Sequence, residues 1–209
     1  MSLFGRLLDV LFPPRETEAL VRASSIDDLH ALVAPTAIEL SGVPATTLLP
    51  YRTLAKAAVI EAKYHDSALA RAILASVLAE YLQGITDDEG GLSGPLALAP
   101  IPLSDKRFKE RGYNQVERIC QDALAKLDST LHYAPHALRR VRDTAPQTKL
   151  SGEARRENMK GAFLAAPELD TTYTYIVVDD VITTGATLSA AISALQDAGA
   201  AVIPIALAR

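Results

Sequence analysis

Residues 175–188, YIVVDDVITTGATL, limit what this chain can fold into more than any other stretch. Ile176, Val177 and Val178 are β-branched and too few for a buried helix, so they suit a strand covered on both faces, the kind found in parallel sheets. Asp179 and Asp180 follow at its carboxyl end, the edge of an open α/β sheet at which ligands bind. Thr183, Thr184, Gly185, Ala186 and Thr187 then make a hydroxyl-rich turn whose one glycine lets backbone N–H groups converge on an anion. The spacing predicts a helix over 187–198, ended by Gly199, with its unpaired N–H groups and positive dipole end facing the same anion. One phosphate fits there without a lysine. The competing reading is a solvated acidic turn behind a core strand, and the strand, turn and helix context argues against it.

Two carboxylates beside a phosphate would repel it unless they serve another part of the ligand, such as vicinal hydroxyls or a bound Mg²⁺. A sugar phosphate meets both requirements. The pattern of apolar residues, two acids, one apolar residue, then TTG with a small residue and Thr resembles the 5-phosphoribosyl-1-pyrophosphate (PRPP) signature of type I phosphoribosyltransferases. That resemblance implies that Asp179 and Asp180 hold the ribose hydroxyls while Thr183, Thr184, Gly185, Ala186 and Thr187 wrap the 5′-phosphate.

The 209 residues suit an α/β domain, and 49% hydrophobic with 22% charged residues gives an ordinary globular core rather than a disordered chain. Residues 1–14, MSLFGRLLDVLFPP, lack the basic start, long apolar stretch and small-residue cleavage site of a signal peptide, so a cytoplasmic location is expected. Cys120, the single cysteine, falls on an amphipathic stretch and reads as a buried inert thiol, with a nucleophile as the minor alternative. His30, His65, His132 and His136 show no paired metal-ligand spacing. Residues 105–160 carry thirteen Lys/Arg against eight Asp/Glu, while the rest carries eight against seventeen, so the basic middle reads as a local anion site. Nucleic acid would also suit it, but with 5% aromatics and no Trp there is little for stacking on single strands.

The predicted elements are a helix from the Ser25 cap to Leu32, a loop-like stretch up to Pro50, and two helices across 51–83 broken near 65–67. A surface loop is expected over 84–95, strands over 96–101, 138–141, 173–178 and 201–207, and a helix over 114–127. Such alternation implies an α/β fold with a mostly parallel sheet flanked by helices. Residues 1–50 read as a separate helical or irregular segment preceding a 51–209 domain.

Two further segments carry chemistry. Residues 100–115, PIPLSDKRFKERGYNQ, leave a strand through Ser104, Lys106, Arg107, Lys109 and Arg111 and enter a helix near Asn114, a second anion site on the same sheet edge. Taken alone this segment is equally well a solvated basic loop. Residues 139–163, RRVRDTAPQTKLSGEARRENMKGAF, read as a strand and then a long polar loop with Arg155, Arg156 and Asn158, a lid able to close on a pyrophosphate and keep out water.

In this order the segments resemble the ComF family of phosphoribosyltransferase-like, competence-associated proteins: YRTLAKAAVIEAKYH at 51–65, the RGYNQ segment, the arginine-rich loop, VVDDVITTGAT and the terminal LAR. The family commonly opens with a cysteine-rich zinc ribbon after Phe-Pro-Pro. Here Leu11, Phe12, Pro13 and Pro14 are present without a following cysteine before Cys120, so no zinc is expected. The resemblance implies PRPP as substrate with Mg²⁺ bound mainly through it, Arg111, Arg155 and Arg156 neutralising the pyrophosphate, and a family role in DNA uptake. Phosphoribosyl transfer, as in nucleobase salvage, stands beside two alternatives: a non-catalytic PRPP or nucleotide sensor, and an accessory protein meeting DNA or competence proteins. No membrane insertion is expected, and self-association is left open.

Overall fold

Residues 13–87, 94–127, 131–142, 159 and 161–209 are described by the computed structural model. Their elements run α1 (Glu16–Ala23), α2 (Ile26–His30), β1 (Thr36–Leu40), β2 (Val43–Leu49), α3 (Thr53–Tyr64), α4 (Ala68–Asp87), β3 (Leu96–Pro100), α5 (Asp105–Arg111), α6 (Gln115–Leu124) and β4 (His132–Tyr133). After these come β5 (Leu138–Arg140), β6 (Phe163–Ala165), β7 (Thr174–Val181), α7 (Ala186–Asp197) and β8 (Ala201–Ala208).

One six-stranded sheet has the order β1-β2-β8-β7-β3-β4, and every neighbouring pair except β1 with β2 is parallel. Strand alternation sets the layers, because successive side chains leave opposite faces. Leu98, Ile176, Val178, Ile205 and Leu207 pack into one core with α3, α4 and α6. Ala97, Ala99, Tyr175, Val177 and Ala206 face the other way, into a core with α7 and the β5–β6 ribbon. The connection from β3 to β4 thus carries its helix on one face and that from β7 to β8 on the other. The point where the strand order reverses falls between β3 and β7, the crevice position for ligands in open α/β sheets.

The expected helix breaks and strands appear with small shifts at their ends. Three expectations change. The stretch before Pro50 is a hairpin, not a loop: Ser41 and Gly42 both have positive φ, the two-residue turn that matches strand twist, and β2 pairs with β8, so the sheet runs across residue 50. Residues 84–87 belong to α4 rather than to a surface loop. The 138–141 strand joins a separate antiparallel ribbon with β6. α4 is long and apolar enough, by composition, to cross a membrane, and its Ile73, Leu74, Leu78 and Leu82 are enclosed in the core with α3 and α6.

On α3, Glu61 is buried and receives Arg15 and the Thr17 hydroxyl, the latter at 2.6 Å, which fastens α1 to the helical layer. Burial opposes its charge, but these partners outweigh burial and hold its carboxyl below the usual range. Cys120 is fully buried in α6, and burial pushes its thiol up, which makes it inert.

Candidate functional site

The acid pair lies on the last residues of β7, and alternation separates the two side chains. Asp180 shares the face of Ile176 and Val178, toward α3 and α6, and is buried. Its Oδ2 accepts from Lys63 Nζ at 2.5 Å and from Gln115 Nε2 at 2.6 Å, and its Oδ1 accepts from the Val181 N–H at 2.8 Å. Burial works against its charge, but Lys63 and Gln115 outweigh burial and keep the carboxyl below the usual carboxylate range. Burial likewise opposes the charge on Lys63, and Asp180 restores it, raising the ammonium above the usual lysine value. Asp179 shares the face of Tyr175 and Val177 and is half-buried, with Oδ1 accepting from the Asp180 N–H at 2.8 Å. Burial, reinforced by the adjacent Asp180 charge, pushes its carboxyl up to about 7.

The turn behind the pair leads into a helix N-terminus of the kind that can hold an anion. Gly185 takes the left-handed conformation at φ 75° and caps α7 without any side-chain hydrogen bond to the first turn, leaving its N–H groups for a ligand. A Cβ at this position would collide with Leu40 Cδ2 of β1, so the leucine tip would have to move. Thr183 is exposed, Thr187 is half-buried, and the Thr184 hydroxyl is buried with no partner among the described residues. A groove of about 580 Å³ runs along the outer side of α7, lined by Leu40, Phe163, Thr184, Ser189 and Ser193 among others; neither aspartate lines it.

The segment 111–115, RGYNQ, is an assembly device in which each residue has a separate task. Gly112 ends α5 in the left-handed conformation. The Asn114 side chain caps α6 through the Val116 N–H and donates to the Ile101 carbonyl beyond β3. The Tyr113 hydroxyl donates to the Lys63 carbonyl at 3.1 Å and accepts from the Asp66 N–H at 2.9 Å, pinning the end of α3 beside α6. Gln115 accepts from Arg111 through Oε1 while donating to Asp180 through Nε2. The Arg111 guanidinium also sits over the Tyr64 ring, 5.4 Å from its centre. Tyr113→Phe should therefore cost about 1 kcal/mol, a loss of roughly 2–4 °C in a thermal melt, because the Asp66 N–H and Lys63 carbonyl lose one shared partner.

The structure gathers Asp179, Asp180 and Arg111 with Gln115 and Lys63. Ser104 is the cap of α5, accepting from the Arg107 N–H at 3.4 Å, and the short helix 105–111 takes the place of the basic loop expected there. Lys106 is exposed, Arg107 half-buried, and neither side chain is in an ion pair among the described residues. Arg155, Arg156, Asn158 and most of the expected lid lie outside the described residues. Lys63 and Gln115 are not among the residues expected at the site. Among the described residues no three His, Cys, Asp or Glu side chains gather as a metal cage. The two aspartates offer hard carboxylate oxygens, the donor type that Mg²⁺ takes.

A mostly parallel α/β sheet flanked by helices, with an acid pair and an uncapped glycine turn at its switch point, is consistent with a phosphoribosyltransferase-like fold. No protein-family model matches the chain. It is 35% identical over 141 residues to DNA utilization protein YhgH of Escherichia coli O157:H7, covering 66% of this chain and 57% of that protein. The Salmonella typhimurium protein of the same name is 32% identical over 139 residues, with the same coverage. Competence protein F of Haemophilus influenzae is 40% identical over 97 residues, 46% of this chain and 42% of that protein. The chain belongs to the ComF family. It spans a little over half the length of the DNA utilization proteins it matches.

Proposed function

We propose that this protein binds PRPP together with Mg²⁺ and acts in DNA utilisation. The observation that carries the first half is the placement of Asp179 and Asp180 directly before a glycine-capped, otherwise uncapped helix N-terminus at the switch point. Ribose hydroxyls can donate to a carboxylate at the end of β7 while the N–H groups of 184–187 and the Thr hydroxyls take the 5′-phosphate. The second half is supported by the names of the relatives, DNA utilization protein and Competence protein F.

As a transferase, the protein would break the bond from ribose C1 to pyrophosphate and join C1 to an acceptor nitrogen, whose proton leaves to solvent or a base. Arg111 at the end of α5, with Arg155 and Arg156, would offset charge building on the departing pyrophosphate. Mg²⁺, when bound, would supply further neutralisation of the pyrophosphate oxygens. Calorimetric titration with PRPP and Mg²⁺ tests the reading: micromolar-range binding is expected for the wild type, and a loss of about a hundredfold in Asp179→Asn/Asp180→Asn, since the charge that accepts from the ribose hydroxyls is removed. Unchanged affinity in a folded double variant would sink it. Release of pyrophosphate with a nucleobase acceptor separates an enzyme from a sensor.

Direct contact with DNA is a second reading, favoured by α5, where Phe108 is exposed at 49% among Lys106, Arg107 and Lys109. Its signature is affinity for single-stranded DNA that falls steeply with added salt.

A further inference from the structure

The two carboxylates of the acid pair have different surroundings. Asp180 spends both oxygens inside the protein, Oδ2 on Lys63 and Gln115 and Oδ1 on the Val181 N–H. Lys63 comes from the last turn of α3 and Gln115 from the first residue of α6, so the charge at the end of β7 is clamped by two helices of one layer. Asp179 leaves the opposite face of the strand and keeps Oδ2 outside any hydrogen bond to a described residue.

We infer that the pair is divided in labour: Lys63 and Gln115 are positioning residues that occupy Asp180, and the ribose-facing carboxylate is Asp179. This rests on the PRPP reading and specifies how the site works. Gln115 has a particular part, because its amide oxygen holds Arg111 while its amide nitrogen holds Asp180, so a single side chain fixes the spacing between the pyrophosphate-facing cation and the end of β7 that carries both acids. A glutamate in its place would keep the arginine and repel the aspartate. A lysine turned away from Asp180 would reach instead for Asp179, the other negative group in its field, and withdraw it from the ligand.

A double-mutant cycle on the full chain decides this, with Mg·PRPP affinity by calorimetry and melting temperature read for each variant. Asp180→Asn should weaken binding about tenfold, as the released Lys63 ammonium pairs with Asp179, and Lys63→Met about tenfold, as the Asp180 charge is left without its counter-ion near an anionic ligand. The double variant Lys63→Met/Asp180→Asn should return to within about threefold of wild type, since both charges are removed together and the introduced amide oxygen keeps one of the two acceptor positions, toward Gln115 or toward the Val181 N–H. Asp179→Asn should lose about a hundredfold with or without the other two changes. A double variant as weak as Asp180→Asn alone would mean that Asp180 touches the sugar itself and would overturn the division; so would wild-type affinity in Asp179→Asn. If the wild type binds no Mg·PRPP, the proposed function falls and takes the ligand half of the inference with it. In that event the melts still judge the clamp: melting shifts that fail to add across Lys63 and Asp180 support it, and additive shifts refute it.

Discussion

Asp179→Asn is expected to melt higher than the wild type at pH 8 while losing Mg·PRPP affinity about a hundredfold. The stability gain follows from linkage. A carboxyl pushed up to about 7 from an ordinary 3.8 binds its proton more tightly in the folded protein than in the unfolded chain. Its contribution therefore falls as pH rises from about 4 to about 7, and stays at that lower level above. Asparagine removes the buried charge, keeps an oxygen for the Asp180 N–H, and abolishes that descent. A gain of about 1–2 kcal/mol, or roughly 3–6 °C, is expected at pH 8 and close to none at pH 4. Differences between variant and wild-type melts at the two pH values check it, and a variant that melts lower at pH 8 would refute it. For the same reason, wild-type affinity for Mg·PRPP should fall below about pH 7, because a protonated Asp179 is a poorer acceptor for ribose hydroxyls.

Gly185→Val should unfold the phosphate turn at a cost of about 3 kcal/mol, lowering the melting temperature by roughly 6–10 °C and removing 5′-phosphate binding. Two causes add. A β-branched residue is strained at φ 75°, and its Cβ would run into Leu40 Cδ2. They can be separated, because the leucine tip can be removed while the backbone angle cannot. Gly185→Ala should cost about 1–2 kcal/mol, and adding Leu40→Ala should recover only the steric part. Ribose 5-phosphate binding measured alongside the melts would show whether the turn still holds the anion.

What the sequence made readable was local. The run Ile176-Val177-Val178, the two aspartates and the TTGAT turn all fall within residues 176–187, and strand, turn and helix follow from their own chemistry. The hairpin over 36–49 carries a signal of its own: Ser41-Gly42 between β-branched residues is a two-residue turn, obscured by Pro35 and Pro44, which suggest loop. Lys63 could not be found locally. It stands in an alanine-rich helix as an ordinary last-turn cation, and its partner lies 117 residues away. Gln115 is similar, a plain polar residue after a cap whose task appears only when β7 reaches α6. Residues whose function is to hold a distant group show no pattern of their own until the topology brings the group to them.

The place of β8 between β2 and β7 has a consequence for synthesis. The hairpin of β1 and β2 has only β8 to join it to the rest of the sheet, and β8 begins at residue 201, long after β2 ends at residue 49. While the chain is being made, that hairpin waits as a two-stranded ribbon with an unsatisfied edge and no stable partner, a form that is marginal in water. The helices of residues 53–87 can pair with each other soon after they emerge, since their contacts are local, but the sheet closes only when β8, one of its two central strands, arrives. Leu40 comes to rest over Gly185 in that same closing step. The Gly185 turn therefore acquires its roof last, and until then newly made copies are exposed to edge-to-edge association and dependent on whatever shields them.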